Sequence, residues 1–199
     1  MRVLLVALAL CVGAAFPALG ADEAEQSLAI PIPQGATVGT EVNIGRAEIV
    51  TQIEAFTGQM PAEAPAGFRL DRAKIEEILG TLQRVQYAEM KITGKYSPPD
   101  LLALFEKEVG GRRIAYDISR GPGWGLVVLA MPQNGGYFGA VITSDNYKQG
   151  KANTGWIEAV RLFGLPDVAK AAELAIPAIM TATGTTFLGG SFPPTAIMK

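Results

Sequence analysis

The spacing of apolar positions along this chain switches between helical and strand periods several times, and each switch predicts an element. In "RAEIVTQIEAF" (46–56), Ile49, Val50, Ile53 and Phe56 recur on one helical face, and Gly58 supplies a stop. A second helix is predicted from the N-cap residue Asp71, with Ile75, Ile78, Leu79 and Leu82 on one stripe and Gly80 inside it. "SPPDLLALFEKEVGG" (97–111) carries the clearest helical signal. Ser97 is placed to cap, Pro98 fits the first turn, and Asp100 completes a capping box. Leu101, Leu104 and Phe105, with Leu102 beside them, form its apolar face, and Gly110 ends it.

Strand periods fall between these helices. "EVNI" (41–44) is a short candidate, and "VQYAEMKITG" (85–94) sets Ala88, Met90 and Ile92 against Glu89 and Lys91. "RRIAYDISR" (112–120) turns Ile114, Tyr116 and Ile118 one way and Arg113, Asp117 and Ser119 the other. Three further runs, "LVVLAM" (126–131), "YFGAVIT" (137–143) and "WIEAVRLFG" (156–164), are rich in β-branched or aromatic residues. Pro166 and Asp167 then open an alanine-rich helix that Pro177 kinks or ends. The predicted fold class is α+β: a largely antiparallel sheet from strands near 85, 112, 126, 137 and 156, with helices covering one face.

The glycine-rich stretch "GWGLVVLAMPQNGGYFGAVITS" (123–144) invites comparison with a phosphate-binding loop. Such a loop leaves a strand and opens a helix, so that helical N–H groups face the phosphate. Here "GPGWG" precedes a strand and "NGG" lies between two, which reads as a hairpin turn on Asn134-Gly135. "KQGKAN" has a Gly-Lys pair but lacks the earlier glycine and the following Ser or Thr.

Composition refines the picture at the ends. Residues 1–21 run from Arg2 through an apolar stretch to small residues, with the first acids at Asp22 and Glu23, the order of a secretory signal peptide. Cleavage near Ala21 predicts a periplasmic or secreted protein, and Leu10 before Cys11 argues against lipidation. Residues 22–40 read as a linker, 41–180 as one domain and 181–199 as an apolar tail. The tail region is uncharged from Leu174 to Met198, but Pro177, Gly184, Gly189, Gly190, Pro193 and Pro194 interrupt it. A docked or partner-seeking tail is therefore expected ahead of membrane contact. Residues 59–67 form a Pro/Ala spacer.

Removing the first 21 residues leaves 16 basic side chains against 19 acidic, a net charge of −3. No Lys/Arg run marks a nucleic-acid partner. The chain contains no histidine, and its single cysteine is Cys11. Residues 22–199 thus have no disulfide, no His-dependent triad and no zinc or copper site of the usual nitrogen and sulfur type. Carboxylate, Lys, Tyr, Ser or Thr chemistry remains, as do oxygen-ligated hard cations. No cofactor or metal site is expected.

In order, "TEVNIGRAEIV", "ILGTLQRVQYAEM", the "GWGLVVLAM" and "YFGAVITSD" pair, and "IEAVRLFGLPDVAKAAEL" resemble an uncharacterised family of exported bacterial proteins, a domain of unknown function. The resemblance spans about residues 40–176. It is carried by Val42-Asn43-Ile44, by Ile78 to Val85, and by Val160 to Gly164 before Asp167. It implies an extracytoplasmic α+β domain with a link to envelope signalling, and no catalytic residues.

Trp124, Tyr137, Tyr147 and Trp156 fall near predicted strand ends and are the candidate partner-binding residues, with edge-capping of the sheet as the plainer role. Asp117, Asp145 and Glu158 are the candidate acid/base carboxylates. Arg112, Arg113 and Arg120 bracket one strand, where they either grip an anion or protect a solvated edge. The leading expectation is a non-enzymatic exported binding module whose partner is another envelope protein. The alternatives are a carboxylate-dependent hydrolase of cell-wall or sugar polymers and a carrier of a small apolar ligand.

Overall fold

A computed structural model describes residues 29–58, 70–167, 169 and 170. The signal-like leader, the 59–67 spacer and the 181–199 tail lie outside the described residues. The elements, in order, are β1 (Ala36–Gly45), α1 (Arg46–Gly58), α2 (Arg72–Leu79), β2 (Arg84–Gly94), α3 (Pro98–Val109), β3 (Arg112–Asp117), β4 (Trp124–Met131), β5 (Gly136–Thr143) and β6 (Asn153–Phe163). The strands form one six-stranded antiparallel sheet of order β1-β2-β6-β5-β4-β3, so the protein is α+β with edges at β1 and β3. Among the described residues, no helix is long and apolar enough to cross a membrane.

The chain divides into two compact units. In the larger (to Asn43, Val85–Pro132 and Tyr137–Arg161), α3 lies on one sheet face. Leu101, Leu102 and Phe105 meet Ala88, Met90 and Ile92 of β2, Val127, Leu129 and Met131 of β4, Phe138, Ala140 and Ile142 of β5, and Ile157 and Ala159 of β6. The inward residues alternate along each strand, as the two-residue pleat requires. Leu102, rather than Leu104, is central: it is fully buried, while Leu104 is half-buried.

The same core extends to Ile30, which is 3% exposed. The backbone of Ala29 is held on both sides, its N–H donating to Gln86 Oε1 (3.0 Å) and its carbonyl accepting from Arg161 (2.6 Å). With β1 beginning at Ala36, residues 29–40 belong to the fold and are not the linker expected from their sequence. Two prolines and the missing periodicity hid a segment whose order comes from long-range contacts.

In the smaller unit (Ile44–Arg84, Gln133–Gly136 and the chain from Leu162), α1 packs on α2. The Asp71 carboxylate accepts from Lys74 N (2.9 Å), so the predicted N-cap forms. α2 then ends at Leu79, with Gly80 as its cap at φ +51°, so Gly80 and Leu82 lie beyond the helix. A Cβ at Gly80 would sit 2.8 Å from the Leu165 carbonyl, which is why glycine stands there. Arg46 closes this helix end by donating to the carbonyls of Glu76 (3.0 Å), Gly80 (3.0 Å) and Leu82 (2.7 Å) and to the Glu76 carboxylate (2.8 Å). These carbonyls include ones that a helix C-terminus leaves unpaired. Asp167 accepts from Lys170 N (2.9 Å), the geometry of a helix start.

Two local expectations are corrected. Ser97 makes no side-chain cap bond, so the capping box does not form. Pro98 and Pro99 occupy the first two helical positions, and Pro99 has no N–H at the N2 position where a cap bond is usual. Ile114 and Ile118 are 47% and 40% exposed, not inward. The β3–β4 register slips between Arg113 and Ala115, and this bulge puts Arg113 opposite the core residue Leu129 and Tyr116 opposite Val127. Arg113 therefore reaches the Glu106 carboxylate of α3 and stacks on Tyr116 (4.6 Å). The hairpin expected on Asn134-Gly135 forms between the adjacent strands β4 and β5, with a positive φ at Gly135 (+65°) and Asn134 Oδ1 accepting from Gly136 N (3.0 Å).

Candidate functional site

The connections β3–β4 (118–123) and β5–β6 (144–152) meet at one end of the sheet, within the larger unit. Their approach depends on glycines. A Cβ at Gly123 would collide with the Ser144 carbonyl and lie 2.9 Å from Tyr147 Cβ. One at Gly125 would lie 2.8 Å from the Leu102 side chain, and one at Gly155 would collide with the Tyr96 hydroxyl. Gly123 and Gly125 of the 123–144 stretch, and Gly155 of β6, thus let backbone and rings come close.

The β5–β6 loop is stapled by Asn153, which is 7% exposed. Its Oδ1 accepts from Lys148 N (2.7 Å), and its Nδ2 donates to the carbonyls of Lys148 (2.9 Å) and Lys151 (2.8 Å). Gly150 provides the positive φ of the turn (+72°), so "KQGKAN" is a loop-closing sequence. Ser144 Oγ donates to the Thr154 carbonyl (2.8 Å) at the loop base. β6 accordingly begins at Asn153, three residues before the strand expected from the sequence.

Two open clefts lie on this surface. One of about 350 Å³ is lined by residues that include Arg120, Trp124, Thr143, Asp145 and Tyr147. The other, of about 290 Å³, is lined by Asp145, Asn146, Ala152, Asn153, Thr154 and Trp156. Asp145 lines both, and among the described residues it is the sole carboxylate in either lining. The Arg120 guanidinium lies 4.9 Å from the Trp124 ring centroid, a cation–π contact. Tyr147 meets Tyr96 at 5.6 Å between ring centroids, and Tyr96 packs on the main core.

Of the aromatics named from the sequence, Trp124, Tyr147 and Trp156 line these clefts and Tyr137 lines neither. Tyr137 stands at the β4–β5 turn, the other end of β5, so the four do not form one patch. Trp156 is 41% exposed, whereas Tyr147 and Trp124 are half-buried. Asp117 and Glu158 line neither cleft; Asp117 accepts from Ser119 N (2.7 Å) at the end of β3. Sequence reading passed over Asn146, Asn153 and Thr154, because polar residues in a polar loop carry no periodic signal.

The sheet face away from α3 carries Tyr87, Glu89, Val128, Val141, Trp156 and Glu158 at alternate strand positions. Burial, then the charges of Glu158 and Glu89, push the Tyr87 hydroxyl up to about 12. Among the described residues, no group of three or more acidic or sulfur side chains is placed to hold a metal ion. No family model, curated protein or solved structure matches this chain.

Proposed function

We propose that this protein is an exported, non-catalytic binding module that engages a component of the cell envelope through the strand-end surface around Asp145. Export is supported by the N-terminal order of Arg2, apolar run and small residues, and it accords with the resemblance to exported bacterial proteins. One observation carries the binding reading. Two clefts converge on a shared acid, each contains an indole, and both rest on elements fixed by glycine-dependent packing. Rigid support is what a recognition surface requires, because less ordering entropy is then lost on binding.

The hydrolase alternative needs two carboxylates flanking a reacting bond, and the clefts supply Asp145 alone. The carrier alternative needs an apolar enclosure, and both clefts are open and edged with Asp, Asn, Ser and Thr side chains. The test is retention from a fractionated envelope extract on immobilised protein, comparing the wild type with Asp145→Ala and Trp124→Ala. Retention of one component that both variants lose, with that component chemically unchanged, is the expected result. Equal retention by all three proteins, or product release at catalytic amounts of protein, would overturn the reading.

A further inference from the structure

We infer that the double cleft binds a neutral oligosaccharide, with one sugar ring lying on the Trp156 indole and its neighbour reaching past Asp145 toward Trp124 and Tyr147. The inference rests on the binding-module reading and adds the ligand class. A pyranose ring offers an apolar C–H face and a rim of hydroxyls that both donate and accept. Recognising it takes a flat aromatic surface with hydrogen-bonding side chains at its edge. Trp156 supplies the surface at 41% exposure. Asp145, Asn146 and Thr154 stand in the same cleft. No hydrogen bond among the described residues engages the Asp145 or Asn146 side chain, so their capacity is unspent.

The same residues argue against other ligand classes. An anion would meet the Asp145 charge, and Arg120, the only cation lining either cleft among the described residues, is already stacked on Trp124. An apolar ligand would strand the carboxylate and amide of Asp145 and Asn146 without partners, which is costly. An extended peptide adding to the sheet needs a free strand edge. The edges here are β1 and β3, while Thr143, Thr154 and Trp156 lie on the interior strands β5 and β6. Each cleft lies near the lower end of the roughly 300–1,000 Å³ range of small-molecule sites, so the pair suits a short run of rings and not a single bulky group.

The chain's two tryptophans are Trp124 and Trp156, so tryptophan emission, excited at the red edge where the tyrosines do not absorb, reports on the site. The experiment titrates the protein with soluble linear oligomers of glucose, N-acetylglucosamine and galactose, following emission and, in parallel, calorimetric heat. A saturable emission change is expected for at least one series. Trp156→Ala should weaken binding about tenfold or more, the loss typical of a stacking anchor, and Trp156→Phe should weaken it less. Thermal melts of each variant establish that it is folded.

Absence of a saturable response to every oligomer would overturn the saccharide assignment. If the same preparation still retains an envelope component that Asp145→Ala loses, the binding module stands with a different ligand, a protein among them. If it retains nothing, the module reading falls as well. Saccharide binding unchanged in folded Trp156→Ala would place the site elsewhere and overturn the inference.

Discussion

Replacing Gly155 by alanine tests whether the candidate surface is held rigid by close packing. The new Cβ would collide with the Tyr96 hydroxyl and sit 2.7 Å from the Thr143 carbonyl, with Tyr96 Cζ at 3.2 Å. A backbone oxygen in a sheet has little room to yield, so Tyr96 must move. Its ring is 5.6 Å from Tyr147, and Tyr147 lines the larger cleft, so the displacement is carried into the site. Overpacking of this kind costs about 1–3 kcal/mol. That corresponds to a fall in melting temperature of roughly 2–12 °C for a domain of this size. Tyr96→Phe gives a second arm. The Tyr96 hydroxyl is buried and bonded to no protein group, so its removal should be neutral or stabilising by up to about 1 kcal/mol. In the Tyr96→Phe background Gly155→Ala should cost less, with a coupling of about 1 kcal/mol in the double-mutant cycle. Urea unfolding of the four proteins measures it. A neutral Gly155→Ala, or two strictly additive substitutions, would refute the argument that Tyr96 and Gly155 are in obligatory contact.

Other outcomes follow from the packing and charge already described. Phe105→Ala should destabilise by about 3–5 kcal/mol, because Phe105 is fully buried and its ring lies 5.5 Å from that of Phe138; a smaller loss in urea unfolding would mean that the α3 face can collapse around the gap. Arg46→Ala should cost about 1–3 kcal/mol through the carbonyls it leaves at the end of α2, and Arg46→Lys should recover only part, since one ammonium cannot reach every acceptor of the guanidinium. Tyr87 should ionise near 12, read from its ultraviolet phenolate band. Its raised pKa means that the related stability is full below about 10 and is lost as pH rises toward 12. Glu158→Gln should bring that ionisation down only partly, because burial is the larger cause.

Local periodicity determined much of this protein by itself. Ala88, Met90 and Ile92 read as an inward stripe, and all three are buried, because a strand in a one-sided sheet has no other way to hide its apolar set. Asp71 read as a cap and accepts its bond, because capping involves only the next few residues. The absence of histidine, and of cysteine after Cys11, narrowed the chemistry before any fold was known. Tertiary structure decided what depends on distant partners. The bulge between Arg113 and Ala115 broke the apparent alternation of β3, leaving Tyr116 on the core and Ile114 exposed, since register is set by the neighbouring strand and not by the strand's own pattern. Ile30 became part of the core only because Gln86 and Arg161 hold the backbone of Ala29 beside it in place. The site is of the same kind. Trp124, Tyr147 and Trp156 looked like Tyr137 in the sequence, and the sheet order with two loop approaches brought three together and left the fourth at the far end of β5. Period-two and period-3.6 patterns encode which face is buried, whereas the meeting of two loops is encoded only in the folded chain.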